Sequence, residues 1–170
     1  KVYDATTTAQ ASFASFEGNV AGDLLDTTFT AHYNSKDVVS ASTITINVVL
    51  TGDDAGNYAY QDTYVENGTI TKKDITFTAE AKEQIYGDSA KELTYLASGF
   101  AGGETVNNFT LSITRASGND VGTYAINVTA QNANYNVTAI SANYVIVVRE
   151  IGVTFASASS KVYDGTTDVT

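Results

Sequence analysis

The chain has 170 residues, a formal net charge of −10 and no cysteine. The acidic balance argues against nucleic acid and against an anionic membrane surface as partners, because both need clustered Lys and Arg. The absence of cysteine excludes disulfides, thiolate chemistry and cysteine-based zinc sites, and the longest aliphatic runs are too short for membrane insertion.

In the first half of the chain, apolar and polar residues alternate with the period of a strand. Residues 44–50 give the clearest such pattern, and residues 29–33 give another. Weaker strand candidates are residues 9–13, 58–65 and 69–71. Glycine-containing loops are predicted at residues 17–26 and 52–57.

The second half of the chain shows the same alternation of apolar and polar residues. Strands are predicted at residues 75–79, 93–97, 109–114 and 124–129, at residues 135–148, which are long enough for two, and from residue 151 to 155. No segment of useful length shows a 3.6-residue period. The chain is therefore predicted to be all-β.

A near-verbatim repeat frames the chain. The heptapeptide KVYDATT at residues 1–7 returns as KVYDGTT at residues 161–167, so the two copies start 160 residues apart. Return of a motif at long spacing indicates a tandem array. The chain is interpreted as one full period plus the first residues of the next.

Between these copies, two halves carry the same landmarks in the same order. Each has a tyrosine at a short polar turn, Tyr3 or Tyr86, and each has Asp-x-Gly-x-Tyr-Ala, at residues 54–59 and 120–125. The second landmark is typical of the tyrosine corner of immunoglobulin-like sandwiches. We predict two small tandem β-sandwich modules of immunoglobulin-like form, residues 1–72 and 73–150, with another small β-rich fold as the alternative. Residues 151–170 are predicted to be the first strand and motif of the next repeat.

These landmarks carry a family resemblance. The first module resembles the YDG domain, through KVYD at residues 1–4, KDV at 36–38, DAGNY at 54–58 and GTIT at 68–71. The second resembles the MBG domain, through YGD at 86–88, LTY at 93–95, DVGTY at 120–124 and NY at 134–135. Two residues depart from the pattern. Val39 stands where the family usually has glycine, and Ala5 stands where the copy at residues 161–167 has glycine. The resemblance implies a tandem repeat of a bacterial surface adhesin, extracellular and without catalytic residues.

Few residues suggest chemistry of their own. Asp53, Asp54 and Asn57 offer oxygen ligands of the kind that calcium prefers, although a turn also needs Asp, Gly and Asn. Asp74 and Glu150, near the module junctions, are a second possibility for calcium. His32, the one histidine, lies on the polar side of its predicted strand and has no nucleophile-elbow motif beside it. We expect no enzyme and no cofactor, calcium excepted.

The repeated motif predicts that the function depends on the array of repeats. The preferred hypothesis is a stalk or spacer whose partners are the neighbouring repeats of the same chain. The alternative is an adhesive module that binds glycan or protein by avidity, and it predicts exposed aromatic residues clustered in one place. A strand precedes both later tyrosine motifs but not Tyr3. We therefore expect an exposed sheet edge on the first module that pairs with a strand from another copy.

Overall fold

The computed structural model describes residues 1–155 and 160–167. Its elements are strands and two single-turn 3-10 helices, so the all-β prediction is confirmed. Within the described residues, no helix has the length and apolar character needed to cross a membrane. The strands are β1 Asp26–Tyr33, β2 Thr43–Thr51, β3 Thr63–Asn67, β4 Lys73–Ala79, β5 Lys82–Ile85, β6 Tyr95–Ser98, β7 Thr110–Arg115, β8 Gly122–Gln131, β9 Tyr135–Ile140 and β10 Ala142–Val147.

The first module is built on one antiparallel sheet with the order β1-β2-β3. The register places Phe29 opposite Val48, and Ile46 opposite both Ala31 and Tyr64, so their side chains share one face of the sheet. This inner face is buried at the end that holds Ala31, and open at the other end. A parallel bridge between Val2 and Thr71 ties the N-terminal motif to the end of the module.

The second module has two sheets, with the orders β5-β10-β8-β7 and β6-β4-β9. Strand β4 lies between β6 and β9 in one sheet and also contacts β8 in the other. Its Ile75 and Phe77 are buried, as are Ile126 and Val128 on β8. The alternation of β4 and β8 thus fills the space between the sheets. The two modules are consistent with the prediction, and their immunoglobulin-like form stays a prediction.

Most predicted strands exist, and residues 135–148 do divide into β9 and β10. Residues 9–13 contain no strand, and next to them only an isolated bridge joins Thr8 to His32. Strand β5 was not predicted, because its sequence, KEQI, is mostly charged or polar. Residues 151–155, where a strand is predicted, form no ladder in this chain, and their place in a next repeat stays a prediction. Residues 156–159 and 168–170 of the predicted next repeat lie outside the described part.

One continuous core runs through both modules. Buried residues of the first module, including Tyr3, Tyr33 and Ile70, belong to the same cluster as Phe77 and Tyr135 of the second. Two modules connected only by a linker would have separate cores. The junction is therefore a packed joint.

Candidate functional site

The N-terminal motif folds into a turn held by a lysine. The Lys1 ammonium donates to Asp4 Oδ1 at 2.7 Å and to the carbonyls of Thr6 and Thr8 at 2.9 and 2.8 Å. Asp4 Oδ1 also accepts from the Thr6 backbone N–H at 2.9 Å. Burial alone would raise the pKa of Asp4, but the bonds from Lys1 and Thr6 outweigh it and lower that pKa.

The second copy of the motif folds the same way in a different setting. Lys161 Nζ lies 2.7 Å from Asp164 Oδ1, which accepts from the Thr166 N–H at 3.0 Å. The residue after the aspartate has a positive φ in both copies, 66° at Ala5 and 77° at Gly165. Glycine adopts this conformation at little cost, whereas alanine is strained there. The turn is thus encoded locally, and Gly165 shows which residue suits it.

The turn in the first copy directs Tyr3 into the joint between the modules. Tyr3 is only 1% exposed, and its ring meets that of Tyr135 edge-on, with centroids 5.4 Å apart. Its hydroxyl donates to Glu104 Oε1 at 2.6 Å, and the Tyr135 hydroxyl donates to Glu104 Oε2. One carboxylate therefore binds a tyrosine from each module.

The two tyrosines stay neutral donors over a wide pH range. Burial, followed by the hydrogen bond to Glu104 and the charge of that carboxylate, raises the pKa of Tyr135 to about 12. The same causes, in the same order, raise the pKa of Tyr3 far above its ordinary value. Neutral phenols beside a carboxylate form charge-assisted hydrogen bonds, which are roughly twice as strong as neutral ones.

Asn134 makes a second bridge across the joint. Its Nδ2 donates to Asp37 Oδ1 at 2.9 Å, and its Oδ1 accepts from the Val38 N–H at 2.9 Å. Its backbone carbonyl accepts from the Lys73 N–H at 3.1 Å. Asn134 is the one buried polar residue among those described. Its hydrogen bonds fix the loop at residues 37–38 against the second module.

Aromatic rings continue the joint into the core. Phe77 contacts Phe109 at a centroid distance of 5.3 Å, and Phe109 contacts Tyr135 at 4.9 Å. With Tyr3 the rings form one row from the centre of the second module to the motif of the first. Such pairs stabilise by about 0.5–1.5 kcal/mol beyond the area they bury. We call Tyr3, Glu104, Asn134 and Tyr135 the joint residues.

The predicted calcium ligands lie elsewhere, on the turn between β2 and β3. Asp54 Oδ2 accepts from the Leu24 N–H at 2.8 Å, and the Asp54 carbonyl accepts from the Asn57 N–H at 3.0 Å. Asp53 and Asn57 are exposed. In the part of the chain that the structure describes, no group of three or more His, Cys, Asp or Glu is placed to hold a metal. Asp54 thus has a structural role in the turn, and the calcium site stays a prediction.

The two Asp-x-Gly-x-Tyr landmarks differ in structure. The Tyr124 hydroxyl donates to the Asp120 carbonyl at 2.8 Å, the contact expected of a tyrosine corner. The Tyr58 hydroxyl instead donates to Asp23 Oδ2 at 2.5 Å and accepts from the Val20 N–H at 2.9 Å. The same sequence pattern thus closes a local turn in one module and fixes a distant loop in the other.

Sequence reasoning found the pieces of the joint but not their association. Tyr3 belongs to the repeated motif, and Asn134 and Tyr135 belong to the second resemblance, whereas Glu104 lies in neither. Their pairing depends on how the modules pack, which no local spacing encodes. Tyr86, the counterpart of Tyr3 in the second module, is about half exposed.

The open end of the inner face of the first module forms a cleft of about 430 Å³. Three of its aromatic side chains, Phe13, Tyr60 and Tyr64, are between 41% and 47% exposed. We call this the aromatic cleft. Its apolar floor comes from the first module's own sheet and the segment before it: Leu25, Val48 and Leu50.

Fold and joint together define a pair of all-β modules that pack on each other through their own sequence motifs. Residues 1–65 match the family model of the YDG domain, and residues 75–145 match that of the MBG domain (YGX type). The chain therefore contains a YDG domain followed by an MBG domain. Comparison with curated proteins and with solved structures finds no match.

Proposed function

We propose that the chain is a structural repeat in the stalk of a bacterial cell-surface adhesin, where it holds a binding region away from the cell. Its two domains are compatible with a repeat module of a surface protein. The observation that carries the proposal is the joint, where a motif repeated along the chain locks one module onto the next through Glu104. A joint with a continuous core resists bending, and resistance to bending is what a spacer needs.

The charge suits the same role. A net charge of −10 keeps copies soluble and limits association between stalks. The partners in this proposal are the neighbouring repeats of the same chain, with no nucleic acid, no membrane insertion and no catalysis. The adhesin and its extracellular location enter through the family resemblance.

Force spectroscopy on a tandem array of this repeat tests the mechanical role. If the joint makes the two modules one unit, each unfolding event releases a whole period of 160 residues, or ~550 Å of extended chain. Independent modules would release about half as much per event. An array that extends with no resolved unfolding events would contradict a stalk that resists force.

The aromatic cleft favours a second candidate, an adhesive module that binds glycan or protein. Exposed aromatic residues clustered in one place are what that function predicts. Binding of the chain to an oligosaccharide panel, with Tyr60→Ala and Tyr64→Ala as variants, tests it directly. Loss of binding in both variants would support the adhesive module, and no binding by the parent chain would remove it.

A further inference from the structure

The first module lacks a layer that the second one has. In the second module, β8 lies between β7 and β10, and its buried Ile126 and Val128 face the buried strand β4. In the first module, β2 has the same place between β1 and β3. Its Val48 and Leu50 line the aromatic cleft, and within the described residues no second sheet is opposite them.

The chain also carries an exposed segment with the sequence pattern of a strand. Ile151, Val153 and Phe155 alternate with Gly152 and Thr154, so their side chains would share one face of a strand. They are 81%, 73% and 89% exposed. Exposed apolar residues in a row mark a surface that pairs with something.

Sequence spacing relates this segment to β4. Thr76-Phe77 of β4 is matched by Thr154-Phe155, and Ile75 is then matched by Val153. Phe77 lies nine residues before Tyr86, and Phe155 eight residues before Tyr163. The segment therefore precedes the next copy of the motif as β4 precedes the tyrosine turn of the second module.

We infer that residues 151–155 fill the aromatic cleft of the first module that follows them in the array, in the way that β4 covers β8. The inference takes from the proposed function only the tandem order of repeats. In solutions of the present chain, the segment of one copy enters the cleft of another. Apolar side chains meet an apolar floor, and the segment carries no charge to desolvate.

This occupant accounts for the cleft better than a glycan does. The cleft lies on the inner face of β2, as β4 lies on the inner face of β8, and the matching segment is present in the same period with its apolar side chains exposed. The clustered aromatics are then an unfilled core, and the observation that favoured the adhesive candidate has a structural cause.

Three chains test the inference. The first is the present chain, and the second carries a copy of residues 149–160 fused ahead of Lys1, which restores the order found before Lys161. The third has the same extension, with the residues that correspond to Val153 and Phe155 replaced by serine. Length and linker are then matched, and only the apolar side chains differ.

We expect the second chain to melt higher than the third by on the order of 5 °C or more, because the cleft is filled within one molecule. At a concentration low enough to keep copies apart, backbone amides on both sides of the cleft, near Val48 and Tyr64, should exchange hydrogen more slowly in the second chain than in the first and third. Equal melting temperatures and equal exchange in the two extended chains would overturn the inference. Oligosaccharide binding by both extended chains would overturn it too, in favour of the adhesive module.

The melts of the extended chains and the force measurement test different contacts, so the covering strand and the stalk can fail separately. The force measurement reports whether the two modules resist as one unit, and it depends on the joint residues at the opposite end of the inner face. An array that resists force while the extended chains melt alike keeps the stalk and removes the covering strand.

Discussion

Replacement of Glu104 by alanine tests the joint at its centre. The side chain accepts one hydrogen bond from Tyr3 and one from Tyr135, and both rings are buried. Hydrogen bonds to a charged group contribute about 1.5–3 kcal/mol each, and the variant leaves both phenol donors without that partner. Because Glu104 is only half-buried, the two contributions should not reach their full sum. We therefore expect Glu104→Ala to lower the free energy of unfolding by about 3–5 kcal/mol.

The assay is urea unfolding followed by far-UV circular dichroism, with a thermal melt alongside. A chain of this size changes its melting temperature by about 2–4 °C per kcal/mol, so Glu104→Ala should melt on the order of 10 °C lower. Glu104→Gln keeps one oxygen acceptor and should lose about half as much free energy. Glu92→Ala, at an exposed glutamate, is the matched control and should stay within about 0.5 kcal/mol of the parent.

A double-mutant cycle isolates the contact itself. Tyr3→Phe and Glu104→Ala remove the same hydrogen bond from its two sides, so their effects on the free energy of unfolding should overlap by about 1 kcal/mol or more. Additive effects, or a loss in Glu104→Ala no larger than in Glu92→Ala, would show that this carboxylate does not hold the modules together.

Four further outcomes are expected. Asn134→Ala should lower the free energy of unfolding by about 1–3 kcal/mol in urea titrations, because Asp37 and the Val38 N–H lose their partner. Ala5→Gly should raise it by about 1 kcal/mol, since φ is 66° there, whereas Ala90→Gly, at an exposed site of ordinary φ, should not. Because burial and Glu104 raise the pKa values of the two joint tyrosines, stability should be full below about pH 10, the ordinary value, and fall as the pH rises towards 12. If the turn at Asp53 binds calcium, a melt with calcium should exceed one with chelator, and Asp53→Ala should abolish the difference.

Strands with a clear local alternation of apolar and polar residues were predictable from the sequence. Residues 44–50 became β2 because a period of two places one set of side chains on the inner face of the sheet, and this requires no knowledge of distant residues. The polar strand β5 was not predictable from pattern. It forms because β10 offers it a parallel partner from which Gln84 and Ile85 take their register.

In the joint, too, local features were predictable and long-range contacts were not. The motif of residues 1–7 predicted a local turn, and the turn exists in both copies with the same lysine and aspartate contacts. That Tyr3 meets Glu104 follows from packing of residues 101 positions apart. A residue such as Asn134, whose partners lie in the other module, has no local signal beyond its neighbouring tyrosine.

In the proposed stalk, each repeat is a stiff unit that adds length. Small-angle scattering from arrays of one, two and three periods measures this most directly. A spacer with packed joints predicts that the maximum dimension grows by a constant increment with each period, and that Glu104→Ala in every period reduces the increment. Growth with about the square root of the number of periods, as in a flexible chain, would contradict the account.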